Sequence, residues 1–107
     1  MDRLKFLLIL VAFVAFFQGA EHLEAVPHGV RVLGMEFRPH DGHLLLDVCE
    51  NVLNYGGTRF EYYFVGQLTA LAASFEGVRY FTLHIDGHLR ELPEGLLIDQ
   101  KFLQYLQ

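Results

Sequence analysis

From Val30 to Asp86 the apolar positions change period twice. Val30 and Val32 share one face of an extended segment. Leu33, Met35 and Phe37 share the other, and the change of phase falls beside Gly34. That predicts a strand over residues 30–38 with a β-bulge or bend. Leu44, Leu46 and Val48 then alternate with Leu45, Asp47 and Cys49, a second strand over residues 43–50. Pro39-His40-Asp41-Gly42 lies between them, and Asp-Gly between apolar runs is a hairpin signal. Next the period lengthens. Phe60, Phe64, Leu68, Leu71 and Phe75 are spaced 4, 4, 3 and 4, one stripe of a helix over residues 59–75, with Gly77 at its C-cap. Alternation returns in residues 79–86. Phe81, Leu83 and Ile85 point inward, and Tyr80, Thr82, His84 and Asp86 outward. Asp86-Gly87 makes another turn. The tail is less regular. Pro93 and Gly95 break it, Leu96-Leu97-Ile98 fits a short edge strand, and Phe102, Leu103, Tyr105 and Leu106 are placed to pack back on the core.

Asn54 to Glu61 is the hinge of this pattern. Gly56 and Gly57 end the strand region. Thr58 and Glu61 form an S/T-x-x-E capping box, each side chain serving the other's backbone N–H. The order is hairpin, helix, strand. A right-handed crossover through the helix lays the third strand parallel to the second and allows it beside the first. The expected architecture is an α+β two-layer sandwich with the helix on one face of a small sheet.

The N-terminal segment reads in two ways. Arg3 and Lys5 precede twelve residues, Phe6 to Phe17, with no polar side chain; Gln18, Gly19 and Ala20 follow. A basic start, a short apolar run and small residues make a secretory signal or membrane anchor, with the domain spanning residues 21–107. The run is short for a membrane span, which needs about 20 residues. The alternative is a first domain helix over residues 4–18, which turns the pattern into α-β-β-α-β. The two readings imply different places for the protein: extracytoplasmic, secreted or membrane-anchored for the first, cytoplasmic for the second. Glu21 to Gly29 is a lead-in, where Pro27 holds Val26 extended and Gly29 permits a turn.

The 107 residues suit one domain, and ten Phe and five Tyr allow a real core. The chain carries a net charge of −5; beyond residue 20, six basic face twelve acidic side chains, a net −6. That excludes nucleic-acid binding by phosphate neutralisation, and any membrane contact would be through the N-terminal segment. The single Cys49 cannot form an internal disulfide.

Several motifs together resemble GerMN domains, found in spore germination and sporulation proteins and in bacterial envelope lipoproteins. Val26-Pro27-His28-Gly29-Val30-Arg31-Val32-Leu33-Gly34 is similar to the family's I/V-P-x-G-x-x-(V/L)-L-G lead-in. Leu44 to Glu50, containing Asp47, resembles its strand ending V-D-(F/L)-S-x. Asn54-Tyr55-Gly56-Gly57-Thr58 resembles its Gly-Gly and helix start. Gly77-Val78-Arg79, then Leu83-His84-Ile85-Asp86-Gly87, resembles its last strand and turn. The likeness covers roughly residues 26–102. Cys49 stands where the family usually has Ser, and the family's first strand has no counterpart. Phe16-Phe17-Gln18-Gly19-Ala20 lines up with the end of the family's preceding helix. The resemblance implies a fold like the ring-building motifs of secretion and sporulation assemblies. It also implies a non-catalytic interaction or scaffolding role in the cell envelope, an envelope protein or cell-wall component as partner, possible homo-oligomers, and no cofactor.

Sites read from the residues themselves are few. His40-x-x-His43 with Asp41 is a thin metal motif, since a closed zinc site needs four ligands. It sustains the alternative of a small histidine-dependent metal-binding protein or hydrolase. Cys49 has no activating neighbour in the sequence. Asp47 and Glu50, three apart on a strand, point to opposite faces. The candidate interaction surface is Tyr62 near the helix start and the outward face of the third strand, Tyr80, Thr82 and His84, with any unpaired sheet edge.

Overall fold

A computed structural model describes residues 1–19 and 25–103. The cleavage position after Ala20, residues 21–24 of the lead-in, and Tyr105 and Leu106 lie outside the described residues. The elements are α1 (Arg3–Gln18), β1 (Val32–Arg38), β2 (His43–Val48), a 3-10 turn (Glu50–Leu53), α2 (Thr58–Ala73), β3 (Tyr80–Ile85) and two short strands, β4 (His88–Leu89) and β5 (Lys101–Phe102). This is the expected α+β class.

The sheet is mixed. β1 pairs antiparallel with β2, with a register shift between Val32 and Gly34 at the expected bulge. β3 runs parallel to β2. It lies beside β2 and not beside β1, so the strand order is β1-β2-β3-β4, with β5 also on β3. The reason is burial. Leu44, Leu46 and Val48 of β2 are fully buried, and their partners across the ladder are Phe81, Leu83 and Ile85. A strand with so apolar an inner face belongs at the centre. The segment 96–98 is no strand, although Ile98 O accepts from Leu83 N at 2.9 Å along the same edge. Val52 and Leu53 leave the sheet in the 3-10 turn, with Val52 buried.

Both helices cover one face of the sheet. Phe13 of α1 stacks on Phe81, with centroids 5.8 Å apart, and tilts against Phe75 at 6.3 Å. Phe17 meets Phe64 of α2 edge-on at 6.2 Å. Ile9, Phe13 and Phe17 belong to the core, and Lys5 Nζ donates to Glu76 O. The apolar N-terminal run therefore folds as a helix packed against both α2 and the sheet. Asp2 caps it by accepting from Lys5 N at 2.7 Å.

The two Asp-Gly turns are formed. Asp86 and Gly87 both have positive φ, 49° and 80°, as a type I′ hairpin between β3 and β4 needs. Gly42 has φ +72°, and a Cβ there would stand 2.6 Å from Gly77 O. Its own carbonyl accepts from Arg79 N at 2.8 Å, tying the hairpin tip to the start of β3. Gly42→Ala therefore loses about 2–4 kcal/mol in denaturant unfolding. Gly56→Ala, facing open space, stays within about 0.5 kcal/mol of the parent. Equal losses at the two positions would contradict this account of the tip.

Candidate functional site

The start of α2 is built differently from a capping box. Gly57 is the N-cap residue, with φ 103°, and no side chain of the cap bonds the helix. Glu61 is 1% exposed and turned inward. Its Oε1 accepts from Tyr55 Oη at 2.7 Å and from Glu94 N at 2.9 Å; its Oε2 accepts from Leu96 N at 3.0 Å. In return Glu94 Oε1 accepts from Gly57 N at 3.1 Å, so the C-terminal turn caps the helix in trans. The buried carboxylate has three donors and sits in the first turn, where the helix dipole favours negative charge. Burial foremost, then its bond to Glu61, pushes the Tyr55 hydroxyl far above its usual range.

Beside this clamp, with Leu96 common to both, lies an open, largely apolar groove of about 600 Å³. Tyr62 and Tyr63 stand on the α2 side, 72% and 50% exposed. Gly66 and Ala70 form a low floor, and Leu96 and Lys101 the opposite wall. The Arg59 guanidinium lies 5.7 Å over the Tyr63 ring, and Tyr62 meets Tyr63 edge-on. Tyr62, a candidate from the sequence, is therefore the most exposed large side chain of a real concavity. Leu96 and Lys101 had no signal in the sequence, because only the 35-residue reach from Glu61 to Leu96 brings them there.

The other candidates lie on the opposite face of the sheet. Tyr80 is half-buried against Phe102, with centroids 5.5 Å apart. His84 is half-buried and faces Asp47 across the ladder. Thr82 corrects the outward reading of β3. It is 2% exposed, shares a 2.7 Å hydrogen bond with His43 Nε2, and accepts from Gln100 N at 2.8 Å. The strand alternates as expected, but the C-terminal segment folds over the position that Thr82 occupies. Tyr62 and Tyr80 thus belong to two surfaces and not to one.

The remaining motif residues have structural partners. Asp47 Oδ1 accepts from Gly87 N at 2.9 Å. Pro27 is buried, and Gly29, at φ +71°, presents its carbonyl to Asn51 Nδ2 at 2.9 Å. Cys49 is buried; its Sγ accepts from Arg31 N at 3.2 Å and donates to Gly29 O at 3.8 Å. The paired histidines diverge. His40 is exposed, 3.8 Å from Asp41, whereas His43 turns inward to Thr82. Among the described residues no three His, Cys, Asp or Glu side chains come together in a way that could hold a metal ion.

Comparison with solved structures follows the same geometry. The first GerMN domain of the sporulation protein GerM from Bacillus subtilis superposes with a TM-score of 0.63 at 24% identity, over 76% of this chain and 60% of that one. The fold is that of a GerMN domain. The tandem GerMN domains of the same protein give a TM-score of 0.63 at 24% identity, over 78% of this chain and 31% of theirs. This GerMN-like chain thus spans less than two thirds of the structures it matches. No protein-family model matches it, and no curated protein matches its sequence.

The clamp predicts a mutational order. Glu61→Ala leaves the amides of Glu94 and Leu96 without their acceptor and loses about 3 kcal/mol in chemical unfolding. Thr58→Ala loses less than about 0.5 kcal/mol, because its side chain caps nothing. The reverse order would restore the capping box. Tyr55 supplies a pH test. Its hydroxyl holds its proton in the folded state beyond the ordinary value of 10.0. The folded chain then binds more protons than the unfolded one above about pH 10, and stability falls as pH rises there. Between about pH 10 and 11 the wild type loses melting temperature more steeply than Tyr55→Phe. Parallel curves would count against the buried Tyr55–Glu61 bond.

Proposed function

We propose that this chain is a non-catalytic GerMN-like interaction module of the bacterial cell envelope, linked to sporulation or germination. One observation carries the reading: the fold likeness to the GerM domains across three quarters of the chain. The surface supports it. The polar side chains of Asp47, Cys49 and Glu61, and of the surface candidate Thr82, are engaged in holding backbone together. The exposed Tyr62–Tyr63 groove offers aromatic contact area of the kind that protein interfaces favour. The partner is an envelope protein or cell-wall component, with no nucleic acid and no cofactor. Nothing favours the alternative of a histidine-dependent metal-binding protein or hydrolase, since His40 and His43 point apart.

We also infer that α1 stays with the domain. Cutting after Ala20 would take Ile9, Phe13 and Phe17 out of the core. At about 1.5–3 kcal/mol for each large buried side chain, that loss approaches the whole stability of a small domain. The apolar segment then serves as a fold helix and is not discarded, so the envelope role is supported by the GerMN likeness and not by an export signal in residues 1–20.

The test is a photo-crosslinking residue at Tyr62 in the native host, with the same residue at exposed Glu91 as control. A discrete adduct from Tyr62 alone, in the envelope fraction and with the chain at its intact mass, is the expected result. An adduct at neither position, or a chain confined to the cytoplasm, would sink the envelope role. A chain shortened by about twenty residues would sink retention of α1 alone.

A further inference from the structure

α1 is apolar all the way round, and packing uses only one side of it. Ile9, Phe13 and Phe17 enter the core, whereas Leu4, Leu7, Leu8 and Val11 are 67%, 52%, 59% and 60% exposed. Ala15 is exposed as well. At 3.6 residues per turn, Leu4, Leu8, Val11 and Ala15 fall in one narrow strip opposite Phe13. A strip of aliphatic side chains facing water marks a surface that something covers.

The strip itself says what fits. Its spacing, 4, 3 and 4, is the same in both directions. We propose that a second copy of this chain covers it, α1 packing antiparallel on α1 about a two-fold axis midway between Leu8 and Val11. That symmetry sets Leu4 over the partner's Ala15 and Leu8 over the partner's Val11. A long side chain meets a short one at each end, and the centre is filled by Leu and Val. Charge selects the same arrangement. Arg3 stands in the first turn of α1, at the positive end of the helix dipole, where a cation is disfavoured, and it has no ion pair among the described residues. The last turn of α1 has no basic residue. Antiparallel pairing brings each Arg3 beside the carbonyl end of the partner helix, where a cation is favoured. Parallel pairing would set Arg3 against the partner's Arg3 and Leu4 against the partner's Leu4.

The proposal needs α1 retained, so the full chain is used after its intact mass is verified. Light scattering on the eluting protein is expected to give twice the 12.3 kDa of one chain. Leu8→Glu places a charge at the centre of the strip and weakens the dimer on the order of 100-fold or more, with an unchanged melting curve at low concentration. Tyr62→Glu, in the distant groove, leaves the dimer intact. Mixing Leu4→Cys with Ala15→Cys chains yields a cross-linked pair under mild oxidation, which Leu4→Cys alone does not form. A monomeric wild type, or a Leu8→Glu dimer as tight as the parent, would overturn the proposal. So would a monomer that floats with phosphatidylcholine vesicles, which would give the strip to lipid. Removal of residues 1–20 in the host would overturn the retained helix instead and leave the solution result standing.

Discussion

The Glu61 carboxylate is the one charged group in the described chain that is fully buried, and much of the C-terminal half is arranged to satisfy it. A lone carboxylate in an apolar setting costs several kcal/mol. Here a phenol and two turn amides surround it. Meeting that demand fixes three things at once: the direction in which α2 starts, the position of the 93–96 turn, and the packing of Tyr55 on Phe60 and Phe64. The reciprocal bond from Gly57 N to Glu94 closes the ring. A stabilising interaction near the helix start thus becomes a tertiary clamp, and the groove beside Tyr62 is the surface consequence.

A second constraint acts at the other end of the helical layer. α2 alone does not cover the sheet. Phe81 and Phe75 need Phe13, and Phe64 needs Phe17, so α1 completes the core that the strands begin. The same helix keeps a fully aliphatic outer strip. Core demand explains one side of α1; the other is the surface on which the proposed pairing rests. The polar groups named above hold the fold, and the aromatic pair Tyr62–Tyr63 and the aliphatic strip of α1 stay exposed.

The repeating elements were legible in the sequence because period encodes face. β1, β2, α2 and β3 lie where alternation and the 4-4-3-4 stripe put them, and the bulge sits at the change of phase beside Gly34. The Asp-Gly turns were legible because few residues accept positive φ. What failed was long-range. Thr-x-x-Glu is a local motif, but the donors that claim Glu61 are 33 and 35 residues away. Thr82 obeys its alternation, yet the segment reaching Gln100 covers it. The apolar run of α1 had no polar face to show its orientation, since both its buried and its exposed sides are hydrophobic. Tyr62 was visible as an aromatic pair near a helix start, but its groove was not, because the far wall comes from the irregular tail.

The account stands or falls on whether the Glu61 carboxylate holds the turn amides. Residue-resolved amide hydrogen exchange of the native chain measures this directly. The amides of Glu94 and Leu96 lie in the short 93–96 turn, where irregular backbone ordinarily exchanges fast. The account predicts that both are protected to nearly the level of the α2 backbone, and that Gly57 N is protected with them. Rapid exchange at Glu94 and Leu96, with α2 and the sheet still protected, would mean that the carboxylate is satisfied elsewhere and that the clamp is not what organises this end of the fold.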